Sequence, residues 1–179
     1  MTPSNQQFGL LVAYLLPGFI ALGGVALLVP TVAQWLRPVA GEGTSGLGPP
    51  VYAVLAATAA GMIVSCFRWL LVDHALFLTG VPRPQWDADR LEARLDAVNY
   101  FVEYHYRYYQ FYANTLVAVL WTYTINRAFG TSPLLGPASD LGVLIIGVVL
   151  VFGSRDALWK YHERTNRLIG RNPTPEQER

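Results

Sequence analysis

Long uncharged stretches separated by short charged ones set the first expectation for this chain. Residues 8–29, FGLLVAYLLPGFIALGGVALLV, carry no charge over 22 positions, and a helix needs about 20 to cross the hydrocarbon of a bilayer. Nothing basic precedes this stretch and no small-residue cleavage site follows it, so it reads as a span and not as a signal peptide. Residues 51–72 form a second span, uncharged through Phe67, with Arg68 one turn from its end. A third covers 108–126, between Arg107 and Arg127. The fourth uncharged run is shorter, and starting it at Pro137, a favoured first-turn residue, gives a span over 137–154. Asp140 then falls in the first turn, where the helix dipole favours an anion. The expected fold class is all-α: an integral membrane four-helix protein, with residues 1–179 as a single membrane domain.

The segment between spans two and three has its own pattern. Two prolines interrupt residues 80–86, GVPRPQW, and forbid a helix there. Asp89 and Glu92 then resemble a capping box. From that point Leu91, Leu95, Val98, Val102, His105, Tyr109, Tyr112 and Leu116 recur in alternating steps of four and three, a heptad seam. The seam predicts one continuous third helix from about residue 88 to 126, roughly 58 Å long. Its first part, 87–107, extends into the cytoplasm as a heptad-patterned stalk. An amphipathic C-terminal helix follows span four over 155–169, with Leu158, Tyr161, Thr165 and Leu168 on one face and Gly170 as its stop. The seam suits packing against that helix or against a second copy of the chain, and its regularity favours a homo-oligomer.

Composition agrees with a membrane protein. Apolar residues make up 53% of the chain, charged residues 14%, and the mean hydropathy is +0.30. Ordinary soluble domains carry about 25% charge, so a conventional soluble enzyme with a charged shell is excluded, as is disorder. The single cysteine, Cys66, excludes a disulfide framework and a cysteine-rich metal site. A net charge of +1 excludes bulk attraction to nucleic acid. Basic residues also orient the chain. Arg68, Arg83, Arg90, Arg94, Arg107, Arg155, Lys160, Arg164, Arg167, Arg171 and Arg179 fall on one side of four spans, against Arg37 and Arg127 on the other. The positive-inside rule places both termini in the cytoplasm of a bacterial inner membrane. The loop PVAGEGTSGLGPP, 38–50, is then an external flexible linker, and its glycines are no phosphate loop, because no lysine follows them.

Three groups of residues are candidates for chemistry. The first is the tyrosine-rich stretch from Tyr100 to Tyr112, where span three leaves the membrane. An aromatic interface belt explains it most simply. The sharper reading is an anion site in which Tyr104, Tyr106 and Tyr108 stack on bases while Arg90, Arg94 and Arg107 meet the phosphates of a nucleotide or oligonucleotide. Twelve of the thirteen basic residues are arginine, which suits bidentate phosphate contacts. The second group is the polar face of span three: Asn114, Thr115, Thr122 and Asn126 either line a wet pore or bond to neighbouring helices. The third is the set of histidines beside acids: Asp73 with His74, Glu103 with His105, and His162 with Glu163. None has metal-ligand spacing, and no nucleophile elbow or phosphatase signature occurs, so no catalytic residue, metal or cofactor is expected. Span two offers Ala56, Ala57, Ala60 and Gly61 as a small-residue face, and span one contains Pro17-Gly18 and Gly23-Gly24.

This layout of spans 8–29, 51–72, 108–126 and 137–154, with a Tyr/Arg-rich stalk, resembles that of small four-span bacterial membrane effectors encoded in anti-phage defence operons. The resemblance covers architecture and assigns no residue a role. It implies a homo-oligomeric inner-membrane pore controlled by the nucleotide or oligonucleotide product of a partner enzyme, in antiviral defence. The reading from another class is a non-conducting scaffold or assembly subunit whose stalk docks an operon-encoded protein partner. A membrane enzyme built on the cytoplasmic histidines is a third.

Overall fold

The computed structural model describes residues 3–36, 48–81, 86–129 and 136–169. Arg37, Arg83, Gly170, Arg171, Arg179 and most of the 38–50 linker lie outside them. Among the described residues the chain is all-helical, with no strand. α1 spans Pro3–Ala26 and α2 Pro30–Leu36. α3, Gly48–Arg68, runs through a π-helical turn π1, Trp69–Asp73, into α4, His74–Leu78. α5 covers Ala88–Ala93 and α6 Leu95–Phe101. A second π turn, π2, Val102–Tyr106, leads into α7, Arg107–Phe129. α8 runs from Pro137 to Ile169.

Two helices are long and apolar enough to cross a membrane, Gly48–Leu78 and Pro137–Ile169. That is fewer than the four expected. In α1 the apolar helix found is Leu11–Ala26, shorter than those two. α7 is interrupted by Gln110, Asn114, Thr115, Thr122 and Asn126. It is also the central helix, packed against α1, α3 and α8. An interior helix meets other helices on most of its circumference, so it need not be apolar all round.

The closest approach is between α1 and α3. The buried face of α3 reads Ala53, Ala57, Gly61, Val64 and Arg68, spaced by three and four so that all fall on one side. A Cβ added at Gly18 would overlap the Ala57 carbonyl oxygen, and one at Gly61 would overlap that of Tyr14. The small-residue face expected in the second span therefore exists, and hydrogen in place of a side chain is what lets the backbones meet there. Ala56 and Ala60 lie at its margin, only partly buried. Pro17 sits inside α1 without ending it.

The fourth apolar stretch and the amphipathic C-terminal segment form one helix of 33 residues, so α8 leaves the bundle and continues as a support for α5, α6 and π2. It starts at Pro137, with Asp140 in its first turn, as its sequence leads one to expect. The third helix differs from expectation. It is not continuous from residue 88: Arg94 takes φ −130° and ψ 28°, which separates α5 from α6. The helix is capped two residues earlier than expected, by the carboxylate of Asp87 accepting from the Asp89 amide at 3.1 Å. The heptad seam breaks with it. Leu95 is 54% exposed, whereas Val98 is buried. Beyond the break, Val102 and Tyr109 pack with Ala157, Leu158 and Tyr161 of the chain's own α8. This part of the seam packs on an apolar face that the chain's own α8 supplies.

Candidate functional site

Where α3 passes into π1, Arg68 and Asp73 are five residues apart. In an α-helix that spacing turns two side chains away from each other. A π turn closes i→i+5 hydrogen bonds and stacks i over i+5. π1 thereby sets the Asp73 carboxylate against Arg68, with Nη1 3.3 Å from Oδ1 and side-chain exposures of 6% and 17%. The Tyr109 hydroxyl of α7 donates to the same Asp73 oxygen. Its ring lies beneath the Arg68 guanidinium, 5.1 Å from Cζ to the ring centroid. A buried arginine is tolerable only with such partners, since an unpaired charge in low dielectric costs several kcal/mol. The Nε of Arg68 is nevertheless buried without a hydrogen-bond partner.

π2 faces this cluster from the neighbouring helix. The Tyr106 ring lies tilted against Tyr109, with centroids 5.8 Å apart, and against Tyr161 of α8 at 5.1 Å. Leu76, Val81, Ala113 and Leu158 complete the surrounding core. The two π turns and α8 thus enclose an Arg–Asp–Tyr centre where the bundle meets the layer of α5, α6 and the end of α8. The sequence signal for it was slight: an arginine late in an apolar helix and an acid five residues on, which become partners only once a π turn is known.

The residues proposed for an anion site are not brought together. Arg107 is mostly buried and holds Glu103 at 2.6 Å, and its Cδ lies where a Cβ on Gly9 of α1 would go. Arg90 is on the surface of α5, 3.8 Å from Asp87, and Arg94 is exposed at the break. Tyr106 packs against the core, while Tyr104 and Tyr108 are exposed, Tyr104 tilted against Tyr100 at 4.5 Å and Tyr108 stacked with Tyr112 at 6.5 Å. Arg107 is held towards α1 because its i−4 carboxylate and a glycine gap make room for it.

The polar face of α7 turns to α1. Asn114 is fully buried and donates Nδ2 to the Ala13 carbonyl oxygen at 2.9 Å. Thr122 donates to the Ile20 carbonyl oxygen at 2.7 Å. Gln110 donates to the Tyr14 hydroxyl at 3.1 Å. Thr115 is buried, and its Oγ1, like Oδ1 of Asn114, has no hydrogen-bond partner. Asn126 is partly buried near the end of the helix. At that end the Tyr123 hydroxyl donates to Asp140 at 2.8 Å and Arg127 lies 3.4 Å from the same carboxylate, which fastens α7 to the start of α8.

The three histidine–acid pairs separate. Asp73 serves Arg68, while His74 sits edge-on to Trp69 at 6.4 Å. Glu103 serves Arg107, while His105 Nε2 lies 2.7 Å from Nη1 of Arg164. Since the arginine can only donate, His105 accepts as the neutral ring. Burial first, then the nearby Arg164 and Lys160 charges, holds its pKa below the ordinary histidine value. His162 is buried between Phe77 and Tyr161, and Glu163 pairs with Arg167 at 2.5 Å. Among the described residues no group of three or more His, Cys, Asp or Glu side chains is placed to hold a metal.

The chain matches no protein-family model, and neither the curated proteins nor the solved structures contain a significant match.

Proposed function

We propose that this chain is a multi-pass protein of the bacterial inner membrane, with both termini cytoplasmic, that acts as a non-conducting assembly subunit and docks a protein partner on its cytoplasmic helical layer. The observation that carries this reading is the use made of the α7 polar face. Asn114 and Thr122 donate to α1 carbonyl oxygens, so they hold helices together instead of facing water. The outward surfaces are apolar: Leu55, Met62 and Ile63 on α3, and Leu144, Val149 and Phe152 on α8. Such surfaces suit lipid, and they would give an oligomer no hydrophilic lining. All four long helices cross in this reading, with α7 shielded by its neighbours. The docking layer exposes Leu95, Tyr100 and Tyr104 beside arginines, the aromatic and arginine composition that protein interfaces favour. Reconstitution in liposomes with an ion-flux readout tests the non-conducting claim, and affinity capture of operon-encoded proteins by wild type but not by Tyr104→Glu tests docking. Flux above that of empty liposomes would reject it.

One observation favours the second reading, a homo-oligomeric channel gated by a cytoplasmic nucleotide or oligonucleotide. Asn114 Oδ1 and Thr115 Oγ1 are buried deep in the bundle without partners, and water entering the bundle would satisfy both. The same flux experiment decides between the two, repeated with a cyclic nucleotide and a short oligonucleotide.

A further inference from the structure

We infer that the partner docked by the cytoplasmic layer presents an acidic segment, with a carboxylate on Arg164 of α8 and apolar side chains on the rings of Tyr100 and Tyr104. This deepens the docking reading above and rests on it. The residues form one continuous strip across two helices. Tyr104 lies tilted against Tyr100 with centroids 4.5 Å apart, Tyr100 meets Phe101 edge-on at 5.9 Å, and Phe101 stacks with His105 at 6.3 Å. Nε2 of His105 then lies 2.7 Å from Nη1 of Arg164. Tyr100, Tyr104 and Arg164 are exposed, so an incoming chain can reach both ends of the strip.

Charge says what the partner must bring. From Arg155 to Ile169, α8 carries four arginine or lysine residues against two acidic ones. Both acids are already engaged one turn away: Asp156 holds Lys160 at 2.6 Å and Glu163 holds Arg167 at 2.5 Å. The cations left are Arg155 and Arg164. Arg155 reaches the Thr79 carbonyl oxygen at 3.4 Å and lies over the Trp159 ring. Arg164 meets a neutral imidazole, which accepts one hydrogen bond and cancels no charge. A guanidinium has five donors, so Arg164 can keep His105 and still clasp a carboxylate in two bonds. The rings beside it suit a protein chain, because tyrosine and arginine carry much of the binding energy at such interfaces. A nucleotide fits less well. The rings of the strip cover one another instead of opening a slot for a base, and a phosphate would find there one cation without an acid.

A random-peptide library displayed on phage and selected on the full chain in detergent tests this. Retained peptides should carry an excess of Asp and Glu beside apolar residues, and should bind as labelled synthetic peptides in fluorescence anisotropy. Arg164→Gln, and Tyr100→Ala with Tyr104→Ala, should each weaken that binding about tenfold or more. Arg155→Gln removes the same charge nine residues away, half a turn round α8, and should leave binding nearly unchanged. No retained peptide, a retained set without acidic excess, or equal losses from Arg164→Gln and Arg155→Gln would each overturn the proposal. Tighter binding of a cyclic nucleotide or a short oligonucleotide, lost in Arg164→Gln, would overturn it as well. Its failure is separable from that of the docking reading. Capture of operon-encoded proteins that survives Arg164→Gln but not Tyr104→Glu would sink the acidic segment and keep the docking. Ion flux from the reconstituted chain would sink the non-conducting subunit itself, whatever peptides bind.

Discussion

Arg68 and Asp73 meet at 3.3 Å because a single π turn, Trp69–Asp73, separates them. The pair is mostly buried and shares its carboxylate with Tyr109 from another helix, so it ties α3 to α7 where the bundle meets its outer layer. Asp73→Leu should destabilise the chain by about 3–5 kcal/mol, by leaving the arginine charge buried and alone. Adding Arg68→Met should recover a large part of that loss, because the double variant buries no charge. Thermal unfolding in detergent of the two single variants and the double variant checks this, and strictly additive losses would show that the pair does not interact.

Asn114→Ala should lower stability by about 1–3 kcal/mol, since the Ala13 carbonyl loses its buried donor. On the assembly reading the substitution leaves liposome ion flux unchanged. A change in flux with an unchanged melting temperature would instead put Asn114 on a water-filled path.

The glycines of α1 should respond unequally to alanine. At Gly18 the new Cβ would collide with the Ala57 backbone of α3, and overpacking of that kind costs about 1–3 kcal/mol. At Gly23 nothing lies within 4 Å, so the gain in helix propensity, about 1 kcal/mol, acts alone. Melting temperatures should therefore move in opposite directions, and a shared direction would mean that the α1–α3 crossing is not tight.

Leu95→Glu should be tolerated, as that side chain is 54% exposed. Val98→Glu, three residues on and buried, should loosen α6 from the end of α8. Limited proteolysis between residues 86 and 106 reads the difference. Equal sensitivity of both variants would restore an uninterrupted seam.

The contact between His105 and Arg164 should weaken in acid. Folding depresses the histidine pKa, so the neutral ring is the form that folding favours. The stability it contributes is present above the unfolded value of 6.5 and is lost as pH falls through the lower folded value. The melting-temperature gap between wild type and His105→Phe should thus narrow between about pH 7.5 and about pH 5. A gap that widens in acid would mean that His105 is held as the cation.

The sequence by itself determined where apolar helices form, that α8 starts at Pro137 with Asp140 in its first turn, and that the second apolar stretch carries a small-residue face. These follow from local quantities: runs without charge, the fixed φ of proline, and the size of side chains at helical spacing. Tertiary structure alone decided how the polar groups are used. Asn114 and Thr122 have the same side chains whether they face water or bond to Ala13 and Ile20, and only the position of α1 distinguishes the two. Arg107 reads as a phosphate ligand by residue type, and only the tertiary structure shows that it pairs with Glu103 and fills the gap at Gly9. The heptad seam predicts a partner surface without saying whose, and the unbroken length of α8 brings one such surface against Val102 and Tyr109. Periodicity also passes over the π turns, because one extra residue in the backbone path leaves the spacing of side-chain types intact while rotating everything beyond it. Hydrogen-bond partners and helix rotation are relations between segments distant in the chain, so no local pattern carries them.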